Sequence, residues 1–156
     1  MDEQIWGQPF VVVPFLPPSG NTIYVTNWRA KKRFLSKEAS TFKTRMIAHI
    51  QSECLAHIGK LNRVGLFGTW YVFYFDNEDL LNRTFGSGKK SAATSRYKKM
   101  DVENRIKLVS DALATAIGID DLHFFEGGHS KLSATLVGSP QIHIFLRETE
   151  PWRFGL

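Results

Sequence analysis

The chain has 156 residues, 43% hydrophobic and 22% charged, with a formal net charge of +5, which is enough for one buried core and too little for two. Twelve Phe and four Trp exclude a disordered chain, and a single cysteine, Cys54, excludes an intrachain disulfide or a zinc site built from several thiolates. The longest apolar stretches, 10–16 and 66–75, are too short to cross a bilayer and the start Met1-Asp2-Glu3-Gln4 lacks a leader pattern, so the expectation is a reduced, soluble, cytoplasmic protein without membrane contact.

Residues 10–16 are β-branched and aromatic and run into Pro17-Pro18-Ser19-Gly20-Asn21, which reads as a strand followed by a turn. A second short strand is expected over 23–28. Ser36 is placed to cap a helix starting near Lys37, and Ala39, Phe42, Met46, Ile50, Cys54 and Ile58 recur at steps of three and four until Gly59. Residues 69–75 have the composition of a buried strand. Both faces of that strand are apolar, which predicts cover on each side or a subunit contact. Residues 76–99 show no period and contain Gly86-Ser87-Gly88, the pattern of a flexible basic loop over about 77–99. A second helix is expected over 101–117, with Val102, Ile106, Val109, Leu113 and Ile117 as its buried stripe and Gly118 as its stop. Asp120-Asp121 follows as a turn. Strands are expected at 122–125 and 141–147, with 129–131 continuing or flanking the first, and the tail 148–156 is left unassigned. The whole reads as one α+β domain over 1–156, a mixed or antiparallel sheet with two main helices.

Charge is segregated along the chain. Residues 28–45 hold Arg29, Lys31, Lys32, Arg33, Lys37, Lys43 and Arg45 against Glu38, a net +6. Residues 83–99 hold Arg83, Lys89, Lys90, Arg96, Lys98 and Lys99 with no acid, again +6, which leaves −7 for the rest. Two basic blocks suit a polyphosphate partner, because each neutralised phosphate releases counterions. They equally suit a solvated face or another anionic surface.

Familiar motifs fail. A phosphate loop needs glycine where Arg83 stands and Ser or Thr where Lys90 stands, and a dinucleotide fingerprint needs glycine at Ser91, so no nucleotide cofactor is expected. His49, His57, His123, His129 and His143 include no His-x-x-x-His pair, and His123 and His143 read as packing residues on strands. Cys54 lies on the apolar stripe of the first helix and reads as core.

The remaining constellation is acidic, with Asp101 and Glu103 opening the second helix and Asp120-Asp121 at its far end. As structure, these residues cap a helix, complement its dipole and make a turn, and this is the simpler reading. As chemistry, carboxylates bind Mg²⁺ or Mn²⁺, hard cations that prefer oxygen. Lys107 lies one turn after Glu103, placed either for an i,i+4 ion pair or to meet a phosphate. Eighteen residues of helix between Glu103 and Asp121 would span about 25 Å, so simple geometry opposes their meeting unless the helix is short or bent or a second subunit contributes.

Asp101-Val102-Glu103-Asn104-Arg105-Ile106-Lys107, Asp111-Ala112-Leu113, Asp120-Asp121 and Lys131 together resemble the signature of the RusA-like Holliday junction resolvases. That signature reads Asp-x-Asp-Asn, a Lys three residues on, Asp-Ala-Leu, an Asp-Asp turn and a Lys ten residues later. Pro17-Pro18-Ser19-Gly20-Asn21 is similar to its Pro-Pro-Ser-x-Asn entry, and the resemblance covers about 11–146. It implies a small α+β homodimer that nicks opposing strands of four-way DNA junctions with Mg²⁺, or Mn²⁺, during recombination or repair, in a phage-type setting. Two-fold symmetry would supply the two cuts. Carried over, Asp101, Glu103 and Asp121 would be the metal carboxylates and Lys107 the phosphate-facing cation, with Asp120 second to Asp121 and Asp111 structural. DNA contacts would come from Arg29, Lys31, Lys32 and Arg33, from Lys89, Lys90, Arg96, Lys98 and Lys99, and from Lys131. Trp28 or Phe34 would be candidates for a wedge at the branch point, Phe34 better suited to the core. The chain departs from the signature at Glu103, which stands for Asp, and at Met100, in the long basic loop and in the tail with Trp152 and Phe154. A shift near 1 Å at a reacting centre costs on the order of 10²-fold. The competing expectation is a weakly catalytic DNA- or RNA-binding module that keeps the fold.

Overall fold

A computed structural model describes residues 6–156. In chain order the strands and helices are β1 (Val11–Val13), β2 (Tyr24–Asn27), β3 (Lys32–Leu35), α1 (Lys37–Ile58), β4 (Leu66–Phe75), α2 (Asn77–Leu80), α3 (Glu103–Ile117), β5 (Phe124–Ser133) and β6 (Gln141–Thr149). The domain is mixed α+β, as expected. Strands β1, β6, β4 and β5 lie in that order in one sheet, and β2 and β3 form a separate antiparallel ribbon. Strand β6 pairs antiparallel with both β1 and β4, whereas β4 and β5 are parallel. A parallel pair requires a crossover, and α3 lies in it.

Helix α1 starts where Ser36 Oγ accepts from the Ala39 N–H at 3.1 Å, and it buries Ala39, Phe42, Met46, Ile50 and Cys54. Helix α3 stops at Gly118, whose φ of +68° suits glycine, with Ile119 N donating to Ala114 O and Gly118 N to Thr115 O. These two hydrogen bonds close the last turn, and buried Ile119 seals it. Both helices pack on the sheet face that carries Val11, Val13, Phe67, Tyr71, Phe73, Phe75, Ile142 and Ile144.

The two apolar faces of β4 each have cover from this chain. Val72 and Tyr74 join Phe145 and Ala134 in a second, smaller cluster, with Trp6, Trp70, Leu132 and Val137 packed on it. Arg147 lies 4.2 Å over the Trp6 ring and pairs with Glu126 at 2.8 Å. Beside this cover a groove of about 920 Å³ stays open over Val12, Tyr74, Leu132, His143 and Phe145.

Several expected boundaries change. Residues 121–123 form a 3-10 turn and the strand begins at Phe124, so His123 is in a turn, its Nδ1 2.9 Å from Gly65 O. The piece at 129–131 belongs to that same strand. Asp101 precedes α3 instead of lying in it. The segment 76–99 is better organised than a structureless loop, containing α2, a bridge between Leu81 and Tyr97, and Asn82 Nδ2 donating to Ser95 O and Tyr97 O. The tail continues β6 to Thr149 and ends in a 3-10 turn over Pro151–Phe154, with Phe154 against Phe125. No helix among the described residues is long and apolar enough to cross a membrane.

Candidate functional site

At the N-terminal end of α3 two distant segments meet. Gly20 opens the 3-10 turn after the Pro17-Pro18 pair and lies against Asp101 so closely that a Cβ there would stand 2.5 Å from the Asp101 carbonyl oxygen. Only glycine allows that approach. Asn104 Nδ2 bridges the two segments, donating to Asp101 Oδ2 at 3.0 Å and to Gly20 O at 3.3 Å. The Asn104 N–H points at Asp101 Oδ1 from 3.5 Å, so the carboxylate also serves the start of the helix. Asp101 and Glu103 both remain exposed. Arg105 lies beside them, its guanidinium 5.1 Å over the Phe75 ring. Burial lowers the pKa of Arg105, and Asp79 and Asp101 act in the opposite direction.

At the other end of α3 the acids form a different group. Asp120 Oδ1 accepts from Leu122 N at 3.1 Å and caps the turn, a structural job. Exposed Asp121 faces back toward Asp111, and both line a shallow groove of about 440 Å³ with Lys43. Burial raises the pKa of Asp111; Lys43 lowers it, Asp121 raises it and Lys107 lowers it. Lys107 therefore lies within the field of Asp111, and no ion pair with Glu103 within 4.0 Å occurs among the described residues. A neighbouring groove of about 380 Å³ runs from Asp121 past Ser110, Thr69, Gly127 and His129, with Tyr71 in its wall. Tyr71 is 3% exposed, and its hydroxyl is buried with no partner in hydrogen-bonding geometry, although Ser110 and Thr69 are adjacent. Burial raises the pKa of that phenol, so it stays protonated.

The expected gathering of Asp101, Glu103 and Asp121 around one cation does not occur within a single chain. Among the described residues no three His, Cys, Asp or Glu side chains are placed to hold a metal ion. The reason is topological. Helix α3 carries the chain from the end of β4 back to the start of β5, and its 15 residues span about 22 Å at 1.5 Å each, with Asp101 before it and Asp121 after it. One chain thus offers Asp101 and Glu103 at the start of α3, and Asp121 near Asp111, which lies midway along the helix. It does not supply the full ligand set implied by the resemblance.

The cationic residues separate into surfaces. Arg29, Lys31, Lys32 and Arg33 are exposed on and around the β2–β3 ribbon, with Trp28 beside them. Lys89, Lys90, Arg96, Lys98 and Lys99 are exposed on the loop. Lys131, near the end of β5, joins that loop, since Lys98, Tyr97, Met100 and Lys131 line one groove of about 430 Å³. Sequence reasoning passed over Asp111 as a partner of Asp121 and passed over Asp79, Arg105 and Tyr71. Only Asp111 had a usable signal, its position one turn after Lys107 on the same helix face. No family model matches the chain, and no curated protein matches it.

Proposed function

We propose that the chain is a Mg²⁺-dependent endonuclease of branched DNA, resolving four-way junctions by paired nicks as a homodimer. The observation that carries this reading is the Gly20–Asn104–Asp101 junction. The turn similar to the family's Pro-Pro-Ser-x-Asn entry closes on the first acid of its Asp-x-Asp-Asn signature and holds it by the signature's own Asn. A carboxylate oriented by neighbours yet open to solvent is what a ligand-binding group requires. Because one chain does not bring three acids together, the reading requires a second copy to complete the set.

On this reading the chain's own groups have separable roles. Asp101, fixed by Asn104, is the carboxylate at the reacting centre. Lys107 faces phosphate from the exposed side of α3. The ribbon and the loop hold backbone phosphates and respond to shape more than sequence.

Asp101→Asn is expected to abolish nicking of a synthetic four-way junction in Mg²⁺ or Mn²⁺ while leaving the gel shift intact, since the amide keeps shape and loses charge. Undiminished cutting by that variant would remove Asp101 from the chemistry. The separation of the acids favours a second reading, a DNA-binding module without cleavage. Wild-type protein that shifts junctions in a salt-dependent way and never nicks them would select it.

A further inference from the structure

We infer that the β2–β3 ribbon is a branch-probing element whose tip residue, Trp28, stacks on bases exposed where DNA duplexes part. The inference deepens the nucleic-acid part of the proposed function and rests on it.

The ribbon is built to hold its tip still. Ile23 is fully buried at its root, and Ser36 N donates to Ile23 O at 2.7 Å where the second strand passes into α1. Four residue pairs run from Tyr24–Leu35 to Asn27–Lys32. At the end, Asn27 Oδ1 accepts from both Arg29 N and Ala30 N at 3.1 Å, and Lys31 takes a left-handed φ of +50°. An isolated two-stranded ribbon is marginally stable in water, so this turn lock and the buried root fix a feature that would otherwise fray.

What the ribbon presents is unusual for a surface. Trp28 is 85% exposed, and the cross-strand pair Val25 and Phe34 is 56% and 50% exposed. Arg29, Lys31, Lys32 and Arg33 lie on the same ribbon and its tip, and no acid lies between Trp28 and Lys37. Arg33 is steadied 4.3 Å over the Tyr24 ring. A second copy would bring the same cations against these and be repelled. A polyanion with accessible aromatic faces satisfies both features: phosphates meet the cations and a base meets the indole. A two-stranded ribbon matches the width of a DNA groove, yet in intact duplex the bases are stacked on one another. At a branch the terminal pairs of each arm expose a face, and a side-chain wedge there is a known economy of bent or parted DNA.

The test compares wild type, Trp28→Ala, Trp28→Phe and a triple Arg29→Ala, Lys31→Ala, Lys32→Ala variant. Binding is measured over a salt series against a four-way junction, a linear duplex of the same sequence and anionic phosphatidylserine vesicles. Trp28→Ala is expected to weaken junction binding by roughly 5- to 100-fold, with less than a twofold change on duplex and an unchanged salt slope. Trp28→Phe restores most of the loss. The triple variant loses affinity for both DNAs and flattens the salt slope by up to about 3, one for each phosphate contact. Equal losses on junction and duplex, or no loss on either, would overturn the stacking role while leaving DNA binding standing. Vesicle binding that depends on Trp28 while junction binding does not would reassign the ribbon to a membrane surface. Absence of any DNA binding at low salt would overturn this inference and the proposed function together.

Discussion

Asp111 has burial and Asp121 pushing its pKa up, against Lys43 and Lys107. Its folded pKa lies above the unfolded value, so the folded state takes up a proton more readily than the unfolded chain does. Charged Asp111 therefore costs stability at neutral pH. That cost fades as pH falls through the raised pKa and is gone below the unfolded value. Asp111→Asn is expected to raise the melting temperature slightly at pH 7, by about 1–2 °C, with the difference from wild type vanishing near pH 3, read by thermal melts across pH. A lower melting temperature for the variant at pH 7 would mean that Lys43 and Lys107 outweigh burial. Residues whose roles are local were readable from sequence. Ser36 and Gly118 act through hydrogen bonds to backbone within a few positions, and both behave as their neighbours in the chain predict. Asp111 facing Asp121 and Arg105 beside Asp79 depend on how the chain returns across the sheet, which no local pattern encodes.

The same division holds among the elements. Helices α1 and α3 were visible because their buried residues recur with a 3.6-residue apolar period against polar outer faces. Strand β5 was read in fragments because Glu126-Gly127-Gly128 interrupts its pattern and Gly-Gly ordinarily marks a turn. Packing against β4 supplies the reason for the glycines. A Cβ on Gly128 would lie 2.3 Å from the Trp70 ring, and one on Gly127 would lie 3.0 Å from Thr69 O. Strand β3 was hidden inside a basic block, since a ribbon exposed on both faces has no alternation to display. The α1 cap gives a direct element-scale prediction. Ser36→Ala removes the bond to Ala39 N within a buried turn and is expected to cost about 1 kcal/mol, a drop of roughly 2–4 °C in melting temperature. Ser36→Thr or Ser36→Asp should recover most of it. An unchanged melt for Ser36→Ala would show that the ribbon and the core alone set where α1 begins.

At the scale of the whole molecule, α3 lies between the acids that the motif would bring together. The residues of the resemblance lie in register along the chain, yet Asp101 precedes α3 and Asp121 follows it. If catalysis pairs them across two chains, inactive variants should complement each other. In a mixed dimer of Asp101→Asn and Asp121→Asn chains, one composite site would combine Asp101 from the second chain with Asp121 from the first and be intact. The other would carry both changes. Such a dimer should nick one strand of a four-way junction and fail to make the paired cut, with up to about half of the molecules forming it on equal mixing. If each site belongs to a single chain, both sites in the mixed dimer carry one defect and mixing restores nothing. Nicked product from the mixture, with none from either variant alone, therefore identifies a composite site. Silence from a mixture of two variants that are each inactive alone would mean that both acids serve one site within a single chain and would overturn the composite site. Nicking by one variant alone assigns the chemistry directly: an active Asp121→Asn leaves it to Asp101 with Glu103, an active Asp101→Asn to Asp111 with Asp121.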